Sequence, residues 1–320
     1  METWAKLERN SVPFKVLPPG PRIENLPLAL NAGESEQEIV LKGKNLDRLA
    51  KLEADGATLE LAPAEGNRLK AGERLLKARL GTGAAPGAAM ALRIYAQDTS
   101  QPEVVPSGVK VLAPRPEILR SQLSLPPNTD IRLKKGELPA GAFVSVSLRV
   151  RRARPETKVR LRCGSESDEA VIRVGEQTAG GSVQSISPDA LFVSFDLGKW
   201  QTGCLMSVAL DNGVEGVSKP YELGRVVRLP HVESFQLTEE KTGDNYYVGK
   251  LIGTGLEAIA KVGWTAEQGT AVESLPAPIE GAERKQSLEI ALPWPPPSPH
   301  APLHIWFRGE TEGRLTTIRY

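Results

Sequence analysis

Apolar residues along this chain come in short runs, most of them alternating with polar residues and fenced by Gly or Pro. The first group spans 38–42, 50–53, 58–61, 74–80 and 91–95, the second 143–150, 158–163, 171–174, 191–195 and 204–210, and the third 287–292 and 303–307. Alternation over four to eight residues predicts half-buried β-strands. Helical spacing fits only Leu46 to Leu52, too short a span to form a layer. The pattern therefore predicts an all-β protein.

One stretch organises the rest. Leu41-Lys-Gly43-Lys-Asn-Leu46-Asp-Arg-Leu49-Ala50-Lys51-Leu52 returns as Leu251-Ile-Gly253-Thr-Gly-Leu256-Glu-Ala-Ile259-Ala260-Lys261-Val262. Five of the twelve positions are identical, and two more exchange one aliphatic residue for another. Each copy predicts a strand, a turn made at a Gly that tolerates positive φ, and a second strand. The chain is thus a set of repeated modules.

Three joints mark the modules. Val12-Pro-Phe-Lys-Val-Leu17-Pro18, Gly108-Val-Lys-Val-Leu112-Ala-Pro114 and Gly224-Arg-Val-Val-Arg-Leu229-Pro230 each read as a strand closed by Pro. Pro fixes its own φ and extends the residue before it, so short, stiff joints are expected. The intervals from Leu17 to Leu112, Leu229 and Tyr320 are 95, 117 and 91 residues, each the size of one β-sandwich. The modules fall at 22–114, 115–230 and 231–320. Residues 1–21 are expected to form an N-terminal strand or linker, either the remnant of a preceding module or a strand that pairs elsewhere. Its strand at 12–17 lacks a sheet of its own and is expected to dock weakly on the first module.

The second module is a variant. Asp130-Ile-Arg-Leu-Lys-Lys-Gly136 echoes the organising stretch only loosely, and a hairpin is expected between 143–150 and 158–163, with Arg154-Pro155-Glu156 at its turn. Asp211-Asn-Gly213 predicts another.

An apolar strand, Gly-x-x-Leu and a second short strand, inside modules of about 90 residues, resembles bacterial immunoglobulin-like repeats of the IPT/TIG type. The resemblance covers the first and third modules well and the second weakly. It implies three tandem immunoglobulin-like β-sandwich domains in an elongated arrangement, serving surface, adhesive or spacer roles, without catalysis and with no fixed site residues.

Composition narrows the classes. Apolar residues make up 40% and charged residues 25%, a globular balance. A net charge of +1 gives no global attraction to nucleic acid, and no apolar run is long enough to span a membrane. The first residues lack the apolar core of an export signal. No cofactor or phosphate motif is present.

Four features carry chemistry. Cys163 and Cys204 lie on predicted strands of one module and fit either a buried inter-sheet disulfide or two free buried thiols. Arg149, Arg151, Arg152, Arg154, Lys158, Arg160 and Arg162 crowd fourteen residues. Arg149, Arg151, Lys158, Arg160 and Arg162 are the candidate anion-binding patch, with neutralisation by Glu166, Asp168 and Glu169 as the alternative. Trp294 and Trp306 could stack on sugar if exposed, or fill the core if not. His300 and His304, four apart in a Pro-rich stretch, lack the helix that would make them metal ligands. Three His residues leave little for acid–base catalysis.

The expected protein is a non-catalytic spacer and adhesive segment of a larger bacterial surface or appendage protein, extracellular, without cofactor or metal. Its partners would be other modules, copies of itself, or surface polysaccharide, and not nucleic acid. A carbohydrate-binding array and an accessory region of a secreted hydrolase are the alternatives.

Overall fold

A computed structural model describes residues 18–63, 70–97, 99–125, 130–164 and 168–320. The strand expected at 12–17 lies outside them. The chain divides into two compact units, Met1–Arg115 and Pro116–Tyr320.

In the first unit, β1 (Arg22–Ile23), β2 (Leu28–Asn31), β3 (Gln37–Lys44), β4 (Leu49–Ala54), β5 (Ala57–Leu61), β6 (Glu73–Leu80), β7 (Ala89–Ala96) and β8 (Glu103–Leu112) form one ladder, ordered β1-β3-β6-β5-β4-β7-β8-β2. A single pair, Ala54↔Ala57, links β4 to β5. There the ladder folds over, and its halves enclose Leu30, Leu41, Leu52, Leu76, Leu92 and Val109.

The second unit holds two cores. The first lies between β14 (Gln177–Thr178), β15 (Gly181–Ser187), β16 (Ala190–Asp196), β11 (Phe143–Arg151) and β9 (Glu117–Ser124) on one side and β10 (Glu137–Pro139), β18 (Tyr221–Val227), β17 (Leu205–Asp211), β12 (Lys158–Cys163) and β13 (Glu169–Arg173) on the other. Alternation is strict where it matters. Val144, Val146, Leu148 and Val150 face inward from β11, and Val159, Leu161 and Cys163 from β12. The second core lies between β19 (His231–Lys241), β20 (Tyr246–Thr254), β24 (Gln286–Pro293), β23 (Ala277–Pro278) and β22 (Thr270–Ala271), β21 (Ile259–Gly263), β25 (Pro302–Phe307), β26 (Arg314–Arg319). All three cores have the strand order of immunoglobulin-like sandwiches.

The organising repeat is built differently from the sequence expectation. Gly43 and Gly253 do not make the turn; they sit inside β3 and β20. A Cβ at either would collide with the carbonyl oxygen of the facing strand, Arg22 O or His231 O. The left-handed turn belongs to Asn45 (φ 53°) and Gly255 (φ 69°), each opening one 3₁₀ turn, Leu46–Arg48 or Leu256–Ala258. Leu46 and Leu256 plug these turns into their cores.

The expected hairpin of 143–150 with 158–163 does not form. β11 pairs with β9 and β16, and β12 with β13 and β17, so the chain crosses from one sheet to the other between them. Both strands carry an apolar inner face, and arching over the core buries both, whereas a hairpin would put them in one sheet.

The three sandwiches differ at one edge. The last strand of the first is edged by β2, parallel to β8 with Leu30 opposite Val111, and that of the second by β10, parallel to β18 with Leu138 opposite Val226. The third sandwich spends its whole first strand, β19, on β20. Among the described residues, no strand of the third sandwich edges β26.

Candidate functional site

The open edge of β26 is met by the loop between β9 and β10. Ile131 bridges Thr316 antiparallel, Arg132 N–H donates to Leu315 O at 2.8 Å, and Thr317 N–H donates to Asp130 O at 2.8 Å. Ile131 is 1% exposed and packs in the third core beside Val232 and Leu303. A residue of one sandwich thereby completes the core of the next.

Beside it lies an ionic clamp. Arg314, 5% exposed at its side chain, donates to Glu137 Oε2 and Oε1 at 2.6 and 2.8 Å. The same guanidinium donates to Glu310 at 2.6 and 3.0 Å and lies 4.8 Å from the centre of the Phe307 ring. Lys134 Nζ donates to Glu310 at 2.9 Å, and Lys134 N–H to Glu137 at 2.9 Å. Burial pushes the Glu137 and Glu310 carboxyls up; the Arg314 guanidinium outweighs it and holds both below the usual carboxylate range. Burial also opposes the charge on Arg314, and the two carboxylates hold it firmly protonated. His231, at the start of β19, contacts Asp130 through Nδ1. A bidentate, water-poor arrangement of this kind fixes orientation more than it adds net stability.

The sequence-predicted sites land as follows. Cys163 and Cys204 form a disulfide. It does not cross between sheets: Cys163 ends β12, Cys204 immediately precedes β17, and these strands are neighbours in one sheet. The core between the sheets is filled by side chains such as Phe195 and Leu161 instead.

The basic residues do not form one patch, because the arch splits them between two sheets. On one side, Arg149 meets Asp189 at 2.5 Å, and Arg151 and Arg152 meet Glu117 at 3.8 and 3.5 Å. On the other, Arg160 bridges Asp211 at 2.6 Å and Glu169 at 3.2 Å, and Arg162 joins Glu169 at 3.3 Å. Arg154 meets Glu215 at 2.5 Å, and Lys158 lies half-buried opposite Asp211. Burial pushes the Asp211 carboxyl up, while Arg160 and the Gly213 N–H bring it net below its ordinary value.

Trp306 is no sugar platform. It is 2% exposed, because Gly269 and Gly313 close over its ring so tightly that a Cβ at either would strike it. A hydrogen bond from Gly313 N–H to Ala266 O at 2.8 Å pins this cover. Trp294 is half-buried, its ring edge-on to Tyr320 at 5.0 Å and tilted against Tyr247 at 5.9 Å. Among the described residues no group of three His, Cys, Asp or Glu side chains could hold a metal ion, and no helix is long and apolar enough to cross a membrane.

Sequence reasoning missed the clamp. Glu137 and Arg314 are 177 positions apart, and neither stands in a recognisable motif. The one available signal was Ile131, an apolar residue set between the charged Asp130 and Arg132.

No family model matches the chain, and no curated protein matches it either. Solved structures similar to it include a titin A168–A169 tandem, 14% identical, covering 66% of this chain and 99% of that one at a TM-score of 0.20. A marsupial T cell receptor is 11% identical, with 92% and 99% covered and a TM-score of 0.29. The ICAM-5 D1–D4 ectodomain fragment is 15% identical, with 92% and 75% covered and a TM-score of 0.27. At superpositions this low, the immunoglobulin-like assignment rests on strand order and cores.

Proposed function

We propose that this chain is a non-catalytic spacer and adhesive segment of a larger bacterial surface or appendage protein, assembled from immunoglobulin-like modules of the IPT/TIG type. The observation that carries the reading is Ile131: the second sandwich supplies a core residue and a backbone bridge to the open edge of the third. Such coupling suits a part that transmits load or holds binding surfaces in fixed register. It offers nothing to bond-making chemistry. The disulfide supports an oxidising, extracellular setting. Partners on this reading are other modules or further copies of the chain. A carbohydrate-binding array gains no support from Trp306, whose ring is covered.

Single-molecule pulling on the full chain tests the proposal. Residues 116–320 are expected to rupture in one event, which Ile131→Ala divides into two. Two separate ruptures in the unaltered chain, at forces that Ile131→Ala does not change, would refute it.

A further inference from the structure

Where the two sandwiches of the second unit meet, they border a shallow, open cleft of 630 Å³. That lies within the roughly 300–1,000 Å³ of ligand-sized sites, which favour junctions of this kind. Val227 and Leu229 come from the end of the second sandwich, and Phe307 and Arg308 from the end of β25 in the third. The walls are therefore held in place by Ile131 and Arg314.

The charge at the rim contrasts with the crowded basic segment of the same unit. Every guanidinium of the crowded basic segment has a carboxylate partner. Arg228 and Arg308 both line the cleft, both are exposed, and neither has a carboxylate within salt-bridge distance among the described residues. Arg314, at the back, is already neutralised by Glu137 and Glu310. Among the described residues, Glu257 is the only acid in the lining. The cleft thus combines an aliphatic floor with two unpaired, planar hydrogen-bond forks suited to carboxylates.

We infer that this junction cleft binds an acidic peptide segment, with an apolar side chain seated on Val227, Leu229 and Phe307 and neighbouring carboxylates held by Arg228 and Arg308. An acidic sugar would satisfy the guanidiniums equally well. It would, however, leave the apolar surface of Val227 and Leu229 uncovered, which a leucine-like side chain buries. The site deepens the adhesive reading, on which it rests, by giving that reading a partner chemistry. It also moves anion recognition away from the basic segment to two arginines that the segment does not contain.

The test uses the full chain and a fluorescein-labelled octapeptide alternating glutamate and leucine, read by anisotropy. A glutamine-for-glutamate peptide and a galacturonate tetramer serve as rivals. Saturable binding of the glutamate peptide is expected, weaker at high salt and reduced about tenfold by Arg228→Gln or by Arg308→Gln. Arg120→Gln, exposed on β9 outside the cleft, should leave it unchanged. Equal binding of the glutamine peptide, unaltered affinity in both cleft variants, or tighter binding of the galacturonate would overturn the inference. Failure here with a single rupture of residues 116–320 intact removes the cleft and leaves the spacer reading standing.

Discussion

Replacing Ile131 by Ala tests the coupling of the two sandwiches at its centre. The substitution removes three carbons from a side chain that is 1% exposed, and leaves the backbone bridge to Leu315 and Thr317 chemically intact. At about 0.8 kcal/mol per buried methylene, the lost transfer energy is about 2.4 kcal/mol. The cavity adds to this unless the loop collapses into it, which places the cost at about 2–4 kcal/mol. The loss should appear in the third sandwich, although residue 131 belongs by sequence to the second. Tryptophan fluorescence separates the two, because Trp264, Trp294 and Trp306 lie in the third sandwich and Trp200 in the second. The fluorescence midpoint should fall by roughly 8–32 °C, at 4–8 °C per kcal/mol for a sandwich of this size. Lys135→Ala, exposed in the same loop, is the control. If Ile131→Ala shifts the midpoint no more than Lys135→Ala does, the third core does not depend on the second sandwich and the coupling argument fails.

Acid should loosen the same junction. Glu137 and Glu310 are held below their ordinary pKa, so the stability they contribute is complete above the unfolded value near 4.3 and is lost as pH falls through the folded values. Denaturation midpoints measured from pH 7 down to about pH 2 should therefore drop below about pH 5, and drop less in Glu310→Gln; identical profiles would count against the clamp. The Cys163–Cys204 disulfide closes a separation of 41 residues, worth about 4 kcal/mol in the chain-entropy view. Reduction should lower the urea midpoint of the second sandwich, and alkylation without reductant should add no mass. Gly253→Asn should destabilise by about 1–3 kcal/mol, because its side chain must displace the His231 carbonyl. Gly255→Asn should be nearly neutral, since Asn45 already fills the equivalent left-handed position; equal effects of the two in thermal melts would contradict this division of roles.

Strand content, the modular repeat and the inward faces of β11 and β12 were legible in the sequence, because alternation with period two is a local property that the pleat converts directly into burial. The repeated Gly43 and Gly253 were legible as positions demanding glycine. The demand comes from a facing strand and not from the local turn, so their reason was not. The splitting of the basic residues, the same-sheet disulfide and the burial of Trp306 depended on which strands became neighbours. That choice is made by global packing: β11 and β12 could have paired as a hairpin on local grounds, and only enclosing a core between two sheets separates them. The junction was the least visible part. Ile131, Glu137, Glu310 and Arg314 come from loops and strand ends scattered over almost two hundred positions, and they meet because, among the described residues, the outer edge of β26 carries no strand and a loop of the neighbouring sandwich bridges it.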